Sequence, residues 1–403
     1  MSWLHIRDPI HGFIRLNELE KEIIQTFPFQ RLRFVHQLGT TPWAYPSGVH
    51  TRFVHSLGVL QMASLVLERF RFLGIGINEE DENIFRIACL LHDIGHPPFS
   101  HVGEDMKLFE QGLDHEKMGE RIIRETRLIE ILNKINTNAI DRIIFIITGK
   151  GIPVTKFDTI FYSILTGQAG IDRMDYLLRD SYFLGVAYGK FDLPRLLETL
   201  CFNEEYNIFC EEGGIHALEQ FILARYFMFT EVYFHKTRRI LDYHLSRAIN
   251  AFLIDKLQVP NFPTNAEEYL KLNDNEILSW IINQGNFREI FFNRKFFRKI
   301  RRDSGDHPTD GEIVIWEWLE DTLKREFSRD DFYFDRADKA PYKFEKPDES
   351  IRVFKKNTIS LIERESKLVS LLTPINKRNV YASNDKREEI STFVEDFLRK
   401  RRA

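Results

Sequence analysis

A histidine–aspartate pair lies inside a strongly apolar stretch of the chain. Residues 82–95 read Glu-Asn-Ile-Phe-Arg-Ile-Ala-Cys-Leu-Leu-His-Asp-Ile-Gly and predict a helix of the core. Gly95 and the two prolines that follow it are expected to end this helix. Because an imidazole beside a carboxylate is costly to bury unless something binds both, His92 and Asp93 indicate a site for a divalent cation.

Two further candidate ligands, His55 and Asp172, fall in two other stretches with helical periodicity. Three helices would then present His55, His92, Asp93 and Asp172 to one point. Two imidazoles and two carboxylates, with no thiolate, favour Mn, Fe, Mg, Ni or Zn. Open coordination positions would let such an ion lower the pKa of water and neutralise charge on phosphorus.

The helix predicted around Asp172 carries a polar stripe. Asp172, Tyr176 and Asp180 are spaced four residues apart, so they share one face. A carboxylate, a phenol and a carboxylate in line are not typical of a core. A solvated face is the alternative, but with a metal at Asp172 the stripe would lead outward from phosphorus and contact a sugar and its hydroxyl.

Three more histidines follow within 23 residues of His92, namely His96, His101 and His115. Histidine titrates near neutrality, so each could bind phosphate or donate a proton. The alternative for any one of them is a capping or core histidine.

The rest of the chain predicts a mainly α-helical protein. Helical patterns dominate the first 255 of the 403 residues, and short strands mix with helices afterwards. We therefore expect a helical metal-binding core over residues 1–255 and a smaller α+β lobe over residues 256–403. The lobe would serve oligomerisation or regulation.

Composition and charge narrow the class of protein. The 56 basic and 60 acidic residues nearly balance, so net charge gives no argument for nucleic acid. Three scattered cysteines form no metal or disulfide pattern. Neither a secretory signal nor an apolar run of about 18 residues is visible, so we expect no membrane association and a cytoplasmic location.

The order of these motifs resembles the HD superfamily, in which a histidine, an HD pair and a later aspartate follow one another. Within it, the chain resembles deoxynucleoside triphosphate (dNTP) triphosphohydrolases of the bacterial type, relatives of the mammalian SAM-and-HD-domain enzyme. The resemblance covers roughly residues 5–185, and no SAM-type domain is expected before it. The similar segments are Asp8-Pro9-Ile10-His11-Gly12, Phe29-Gln30-Arg31-Leu32-Arg33, Gln37-Leu38-Gly39, Arg52-Phe53-Val54-His55-Ser56-Leu57-Gly58 and Pro98-Phe99-Ser100-His101.

The resemblance implies an oligomeric, mainly helical enzyme that cleaves dNTPs to deoxynucleoside and triphosphate. His55, His92, Asp93 and Asp172 would be the metal ligands. The remaining roles that it implies are phosphate contact, proton donation near the α-phosphate and sugar binding. They would fall to Arg52, Arg173 and Lys236 for phosphates, to His101 and His115 with His96 beside them for the reacting groups, and to Gln37, Leu38, Tyr176 and Asp180 for the sugar or base.

Two other functions stay open. A related HD phosphohydrolase could act on nucleoside monophosphates or cyclic phosphodiesters, with His96, His101 and His115 holding a second metal. A nucleic-acid-binding regulator with a vestigial site could use the basic segments 294–302 and 399–402. The first segment has helical spacing and is expected to be an amphipathic surface helix. Partners are therefore a deoxynucleotide, a second copy of the chain as dimer or tetramer, and less strongly nucleic acid.

Overall fold

The protein is mainly α-helical, as the sequence predicts, and its described residues also form three small sheets. The computed structural model describes residues 4–402 except 101, 103–107, 203–207, 341 and 343–349. The α-helices are α1 (Glu18–Ile24), α2 (Phe27–Arg31), α3 (Arg52–Phe72), α4 (Glu79–Leu91), α5 (His115–Glu125), α6 (Leu128–Leu132), α7 (Ala139–Thr148), α8 (Lys156–Thr166), α9 (Ile171–Leu184), α10 (Leu193–Glu198), α11 (Ile215–Phe227), α12 (Lys236–Leu257), α13 (Ala266–Leu270), α14 (Asp274–Ile282), α15 (Gly285–Phe291), α16 (Asp310–Glu326), α17 (Ile362–Glu365), α18 (Lys367–Ser370) and α19 (Arg387–Arg402).

The strands form three sheets within the described residues. They are β1 (Leu4–Asp8), β2 (Gly12–Leu16), β3 (Leu200–Phe202), β4 (Ile208–Glu211), β5 (Arg298–Asp303), β6 (Phe332–Lys339), β7 (Arg352–Lys355), β8 (Thr358–Leu361) and β9 (Ile375–Ala382). β1 and β2 make an antiparallel hairpin, the second sheet has the order β3-β4-β7-β8 with β4 and β7 parallel, and the third has the order β5-β9-β6. Short 3-10 turns and a π-helix over Met228–Tyr233 complete the regular structure.

Helices α3 and α9 and the end of α4 position the candidate ligands, and the bounds of α4 and α9 follow from clear sequence signals. The side chain of Asn78 caps α4. The first turn of α4 holds four acidic residues, whose negative charge stabilises the positive end of the helix dipole. α4 ends at Leu91, so His92 and Asp93 fall just past its last turn. α9 begins after Gly170 and ends at Gly185, which has a left-handed backbone with φ of 68°. Asp172 therefore lies in the first turn of α9.

Two glycines allow close packing around these helices. A Cβ on Gly58 would lie 2.0 Å from Asp175 Oδ1, so only glycine lets α9 approach α3 at this point. A Cβ on Gly95 would lie 2.1 Å from the carbonyl oxygen of His115 and 2.3 Å from the amide nitrogen of Gly119. The turn after the His92-Asp93 pair is thus pressed directly on the backbone of α5.

The apolar packing is continuous across residue 255. Buried residues of α13, α14 and α15 belong to the same cluster as the buried residues of α3 and α4. A second cluster starts at Ile300 and joins β5, β6, β9, α16 and α19. Tyr342, Val353 and Tyr381 also pack in the first cluster, so the boundary near residue 255 stays a prediction.

The basic segment 294–302 is not the predicted amphipathic helix. Its second half forms β5, which pairs with β9 in an antiparallel ladder with a register shift. Ile300 is buried in the second cluster, while Arg301 and Arg302 are exposed. The spacing of the apolar residues favours a helix, but a strand paired with β9 buries Ile300 equally well, so the segment adopts the strand. In the described part of the chain, no helix is long and apolar enough to cross a membrane.

Replacement of Gly95 by alanine should destabilise the protein, because the added methyl group meets backbone atoms that cannot move aside. We expect the free energy of unfolding to fall by about 1–3 kcal/mol or more. Gly76, around which a Cβ would meet nothing within 4 Å, provides the control. Urea unfolding of both variants tests this, and an unchanged midpoint for Gly95→Ala would contradict the close packing.

Candidate metal centre and substrate site

His55, His92 and Asp172 bring one ligand atom each into a single group. These atoms all lie within 4.8 Å of one another. Nε2 of His55 is 3.0 Å from Oδ1 of Asp172, and Nε2 of His92 is 3.6 Å from the same oxygen. The Asp172 side chain is one third exposed, at 33%, so the group can be reached from solvent. α3, the end of α4 and α9 thus meet at one polar point.

Asp93, the fourth predicted ligand, borders this group. Its Oδ1 is 3.4 Å from Nε2 of His92, and its Oδ2 is 3.6 Å from Nε2 of His55. Oδ2 also accepts a hydrogen bond of 2.5 Å from Nη1 of Arg52. The four predicted ligands therefore lie together, with Asp93 shared between the cluster and a buried arginine.

Both imidazoles are oriented with Nε2 towards the cluster. Nδ1 of His55 bonds Oδ2 of Asp175 at 2.8 Å, and Nδ1 of His92 bonds the carbonyl oxygen of Cys89 at 2.8 Å. A carboxylate and a carbonyl can only accept, so each Nδ1 carries a proton, which leaves Nε2 as the nitrogen that can bind an ion. Nε2 of His92 is buried and makes no hydrogen bond within the described residues. The donor set therefore fits a divalent cation.

Asp175 anchors this orientation through a buried network. Arg179 donates to both oxygens of Asp175, at 2.8 and 2.9 Å, and also bonds Asp8. His11 bonds Asp175 at 2.6 Å, and the side chains of Asp175 and Arg179 are fully buried. Sequence reasoning assigned no role to these residues. The spacing of Asp175 and Arg179 by four, and the presence of Asp8 and His11 in a matching segment, were the available signals.

Three carboxylates set the protonation of His55. Burial opposes the charged form of His55, but Asp172, Asp175 and Asp93 outweigh it and raise its pKa to about 10. Burial alone would raise the pKa of Asp172, yet its contacts with His55 and His92 hold that pKa below the usual range. The carboxylates therefore stay ionised and hold a second proton on His55, which a divalent ion would displace from Nε2.

Of the three additional histidines, His96 contacts Asp93 and His115 stacks on His96. Nε2 of His96 is 3.3 Å from Oδ1 of Asp93, and the rings of His96 and His115 stack with centroids 4.1 Å apart. Burial, Arg52 and His115 together hold the pKa of His96 well below its usual value, so its ring is neutral near pH 7. His101 lies outside the described residues.

A strained turn connects these histidines to Arg52. Phe99 and Ser100 both have left-handed backbones, with φ of 56° and 57°, which costs on the order of 1–3 kcal/mol each. Nε of Arg52 donates to Oγ of Ser100 at 2.7 Å. Arg52 is 2% exposed, and its Nη2 makes no hydrogen bond within the described residues. A phosphate oxygen would satisfy that nitrogen.

Asp180 lies in a buried polar wall two turns along α9 from Asp172. Its Oδ1 is bonded to Nε2 of His50 at 2.8 Å, and its Oδ2 accepts from the hydroxyl of Tyr233 at 2.7 Å. The backbone N–H of Gln37 donates to the carbonyl oxygen of His50 at 3.1 Å. Oε1 of Gln37 is buried and makes no hydrogen bond within the described chain. Gln37, His50 and Asp180 thus belong to one wall.

Tyr176, between Asp172 and Asp180 on α9, faces Arg225. Burial lowers the pKa of Arg225, and the nearby Tyr176 hydroxyl opposes that shift. Sequence reasoning missed Arg225, His50 and Tyr233 as members of this wall. Arg225 and Tyr233 come from α11 and from the π-helix after it, a backbone change that no local pattern indicates.

The other predicted substrate residues have varied surroundings. Leu38 is buried in the main apolar cluster. Arg173 is half-buried and donates to the carbonyl oxygen of Gly167. Lys236 is exposed at the first turn of α12. Their roles stay predictions.

Comparison with known proteins gives the family. The HD domain model matches residues 52–151, and the HD associated region model matches residues 191–321. A protein of Acanthamoeba polyphaga mimivirus, named as HD domain-containing, is 30% identical over 320 residues, which cover 73% of this chain and 68% of that protein. The chain belongs to the HD-domain family.

Two other relatives are similar to this HD-domain protein over most of its length. An uncharacterized protein of Methanocaldococcus jannaschii is 36% identical over 304 residues, covering 73% of this chain and 59% of that protein. A Dictyostelium discoideum protein named deoxynucleoside triphosphate triphosphohydrolase SAMHD1 homolog is 30% identical over 346 residues, covering 80% of this chain and 64% of that protein. The chain spans only 54% to 59% of its relatives from M. jannaschii, Bacillus subtilis and Mycoplasma genitalium.

Two solved structures share the fold over nearly the whole chain. A hypothetical protein from Aquifex aeolicus is 34% identical with a TM-score of 0.82, covering 97% of this chain and 99% of that one. A protein from Bacteroides thetaiotaomicron titled as a phosphohydrolase is 26% identical with a TM-score of 0.76, covering 95% of this chain and 100% of that one.

Asp172→Asn and His92→Ala should abolish tight binding of a divalent ion, because each removes a ligand atom from a group that has few. Calorimetric titration of the metal-stripped protein with Mn²⁺ measures this. His216→Ala is the control, since the His216 side chain is 91% exposed. Undiminished Mn²⁺ affinity in both ligand variants would place the metal elsewhere.

Asp175→Asn should weaken Mn²⁺ binding by about ten- to hundredfold, because the amide no longer fixes the proton of His55 on Nδ1. Asp158→Asn is a matched control. Asp158 is an equally buried carboxylate, paired with Arg142 in a separate network. The control should lose stability but keep its Mn²⁺ affinity. Equal loss of affinity in the two variants would show a general effect of unfolding instead.

Proposed function

We propose that this HD-domain protein is a metal-dependent phosphohydrolase that cleaves dNTPs to deoxynucleoside and triphosphate. The observation that carries the proposal is the layout of α9. Asp172 belongs to the candidate metal centre, and Asp180 lies eight residues on in a polar wall, about 12 Å along the helix axis. Tyr176 lies between them. One helix thus joins a phosphate-activating centre to a wall suited to a sugar.

Several relatives support this choice of substrate. The D. discoideum protein and a Gallus gallus protein at 30% identity both bear the name deoxynucleoside triphosphate triphosphohydrolase. The B. thetaiotaomicron structure is titled as a phosphohydrolase. Substrate specificity differs within a fold, so the names alone do not assign it and the site must be tested directly.

The candidate metal ligands would be His55, His92, Asp93 and Asp172. A divalent ion there supplies an activated water and neutralises charge on the α-phosphate. Arg52 would bind a phosphate oxygen through its Nη2 and stay aligned by its bonds to Asp93 and Ser100. Arg173 and Lys236 would add positive charge for the triphosphate.

Proton transfer would fall to the histidines beside Asp93. His96 is buried and neutral near pH 7, so it is better suited to accept or orient a hydrogen bond than to donate a proton. His115 is less buried and stacks on His96, and it would face the leaving 5′ oxygen together with His101. The protonated member of that pair would donate to the oxygen as the bond to phosphorus breaks.

The sugar would be held by Asp180 and Gln37. His50 and Tyr233 fix both oxygens of Asp180, so the carboxylate presents a defined acceptor to a 3′-hydroxyl. Oε1 of Gln37, which makes no hydrogen bond within the described residues, offers an alternative acceptor. Tyr176 would pack on the sugar, where a ribose 2′-hydroxyl would clash. Leu38 would contact the sugar or base.

The assembly is part of the same proposal. We propose a homo-oligomer, dimer or tetramer, with the residues after 255 as the lobe for oligomerisation or regulation. Binding of nucleic acid is a weaker proposal, which rests on exposed basic residues such as Arg301 and Arg302.

A product assay tests the activity. The purified protein would be incubated with each dNTP and each NTP, singly and mixed, with Mn²⁺, Mg²⁺, Co²⁺, Ni²⁺ or Zn²⁺. Ion-exchange chromatography should show deoxynucleoside and intact triphosphate, with activity lost in Asp172→Asn and kept in His216→Ala. Release of orthophosphate from monophosphates, or opening of cyclic nucleotides, with no turnover of any triphosphate would replace the proposal with the other HD phosphohydrolase activity.

A further inference from the structure

The turn that follows the His92-Asp93 pair is held by residues far along the chain. The hydroxyl of Tyr269 donates to the carbonyl oxygen of Gly95 at 2.7 Å. Arg31 donates to the carbonyl oxygen of His96 at 2.9 Å and to that of Leu272 at 2.7 Å. Tyr269 and Leu272 lie within the stretch that matches the HD associated region. That region is therefore hydrogen-bonded to the backbone next to the candidate catalytic histidines, directly through Tyr269 and by way of Arg31 from Leu272.

Asp274, the first residue of α14, makes the most specific of these contacts. Its Oδ1 accepts from the backbone N–H of Phe99 at 2.7 Å. Its Oδ2 accepts from the backbone N–H of His36 at 2.9 Å and bonds Nδ1 of the same histidine at 2.6 Å. The carboxylate is 0% exposed. One buried side chain thus ties together two segments that are 63 residues apart in sequence.

Both tied segments carry groups of the proposed site. His36 precedes Gln37, and Phe99 begins the left-handed pair that ends at Ser100. Oγ of Ser100 donates to the carbonyl oxygen of His36 at 2.7 Å and accepts from Nε of Arg52 at 2.7 Å. A continuous set of hydrogen bonds therefore runs from Asp274 through the turn to Arg52.

The chemistry of position 274 requires a carboxylate. Three donors converge on its two oxygens, so both atoms must accept hydrogen bonds. An asparagine offers one acceptor, and its NH₂ group would face an N–H donor whichever way the amide is turned. An unfavourable backbone pair such as Phe99 and Ser100 persists only where surrounding contacts hold it.

We propose that Asp274 is a positioning residue that sets the 99–100 turn, and through it Arg52, in the geometry needed for hydrolysis. The HD associated region would then contribute to the reaction by fixing, through Asp274, the 99–100 turn of the HD domain. The kinetic part of this inference rests on the proposed dNTP hydrolysis. The structural part does not depend on it.

Asp274→Asn and Glu276→Gln form a matched pair for the test. Both remove one negative charge from the first turn of α14, but Glu276 is exposed. Steady-state hydrolysis of dNTPs, Mn²⁺ titration and hydrogen exchange of peptides spanning residues 94–102 would be measured well below the melting temperature. We expect Asp274→Asn to lose about ten- to hundredfold in kcat, with KM and Mn²⁺ affinity changed less than about threefold. Hydrogen exchange should rise in that peptide and in the one that contains the His36 amide, and nowhere else.

Each other outcome overturns the proposal. Wild-type kcat in Asp274→Asn would show that the turn needs no carboxylate. A parallel loss of Mn²⁺ affinity, or faster exchange throughout the protein, would make Asp274 a residue of general stability. Equal effects in Glu276→Gln would assign them to helix charge. If the wild-type protein hydrolyses no dNTP, the proposed function fails, whereas unchanged exchange of the 94–102 peptide in Asp274→Asn would refute the positioning role separately.

Discussion

The buried pair of Asp175 and Arg179 supports the whole candidate site. It lies under α3, where Gly58 leaves room for it, and it connects β1 through Asp8 to the imidazole of His55. Breaking a buried pair of this kind costs about 3–5 kcal/mol, because one charge stays behind without a partner. The same pair that holds the hairpin, α3 and α9 together also decides which nitrogen of His55 faces the cluster. One buried interaction therefore contributes both to the stability of the fold and to the orientation of the ligand His55.

The sequence predicted the parts of this site that depend on burial and helical spacing. His92 and Asp93 were recognisable because an apolar helix does not tolerate them without a partner, and Asp172, Tyr176 and Asp180 because they share a helix face. The mainly α-helical class followed from the same periodicity. Pairs that join distant segments, such as His55 with Asp175 and Asp180 with His50, leave no periodic trace in one sequence.

The errors and omissions have a common physical origin. The basic segment 294–302 has helical spacing, but β9 offers an open edge and takes residues 298–303 as a strand. Residues 228–233, within the part of the chain where helical patterns dominate, form a π-helix from which Tyr233 bonds Asp180. In both places the partner lies far away in sequence, and the energy of pairing exceeds the weak local preference.

Asp180 shows why a well-satisfied wall suits a substrate that must be recognised by one hydroxyl. A carboxylate with no fixed partners would be costly to bury and free to turn. Hydrogen bonds from His50 and Tyr233 offset the free energy of burial and hold the remaining lone pairs of Asp180 in fixed directions. Gln37 is tied to the same histidine through the backbone, so its amide and the carboxylate keep a fixed relation. A hydroxyl that fits the wall can donate its one hydrogen to either acceptor without reorganising them, and a substrate that lacks this hydroxyl leaves both acceptors without that bond.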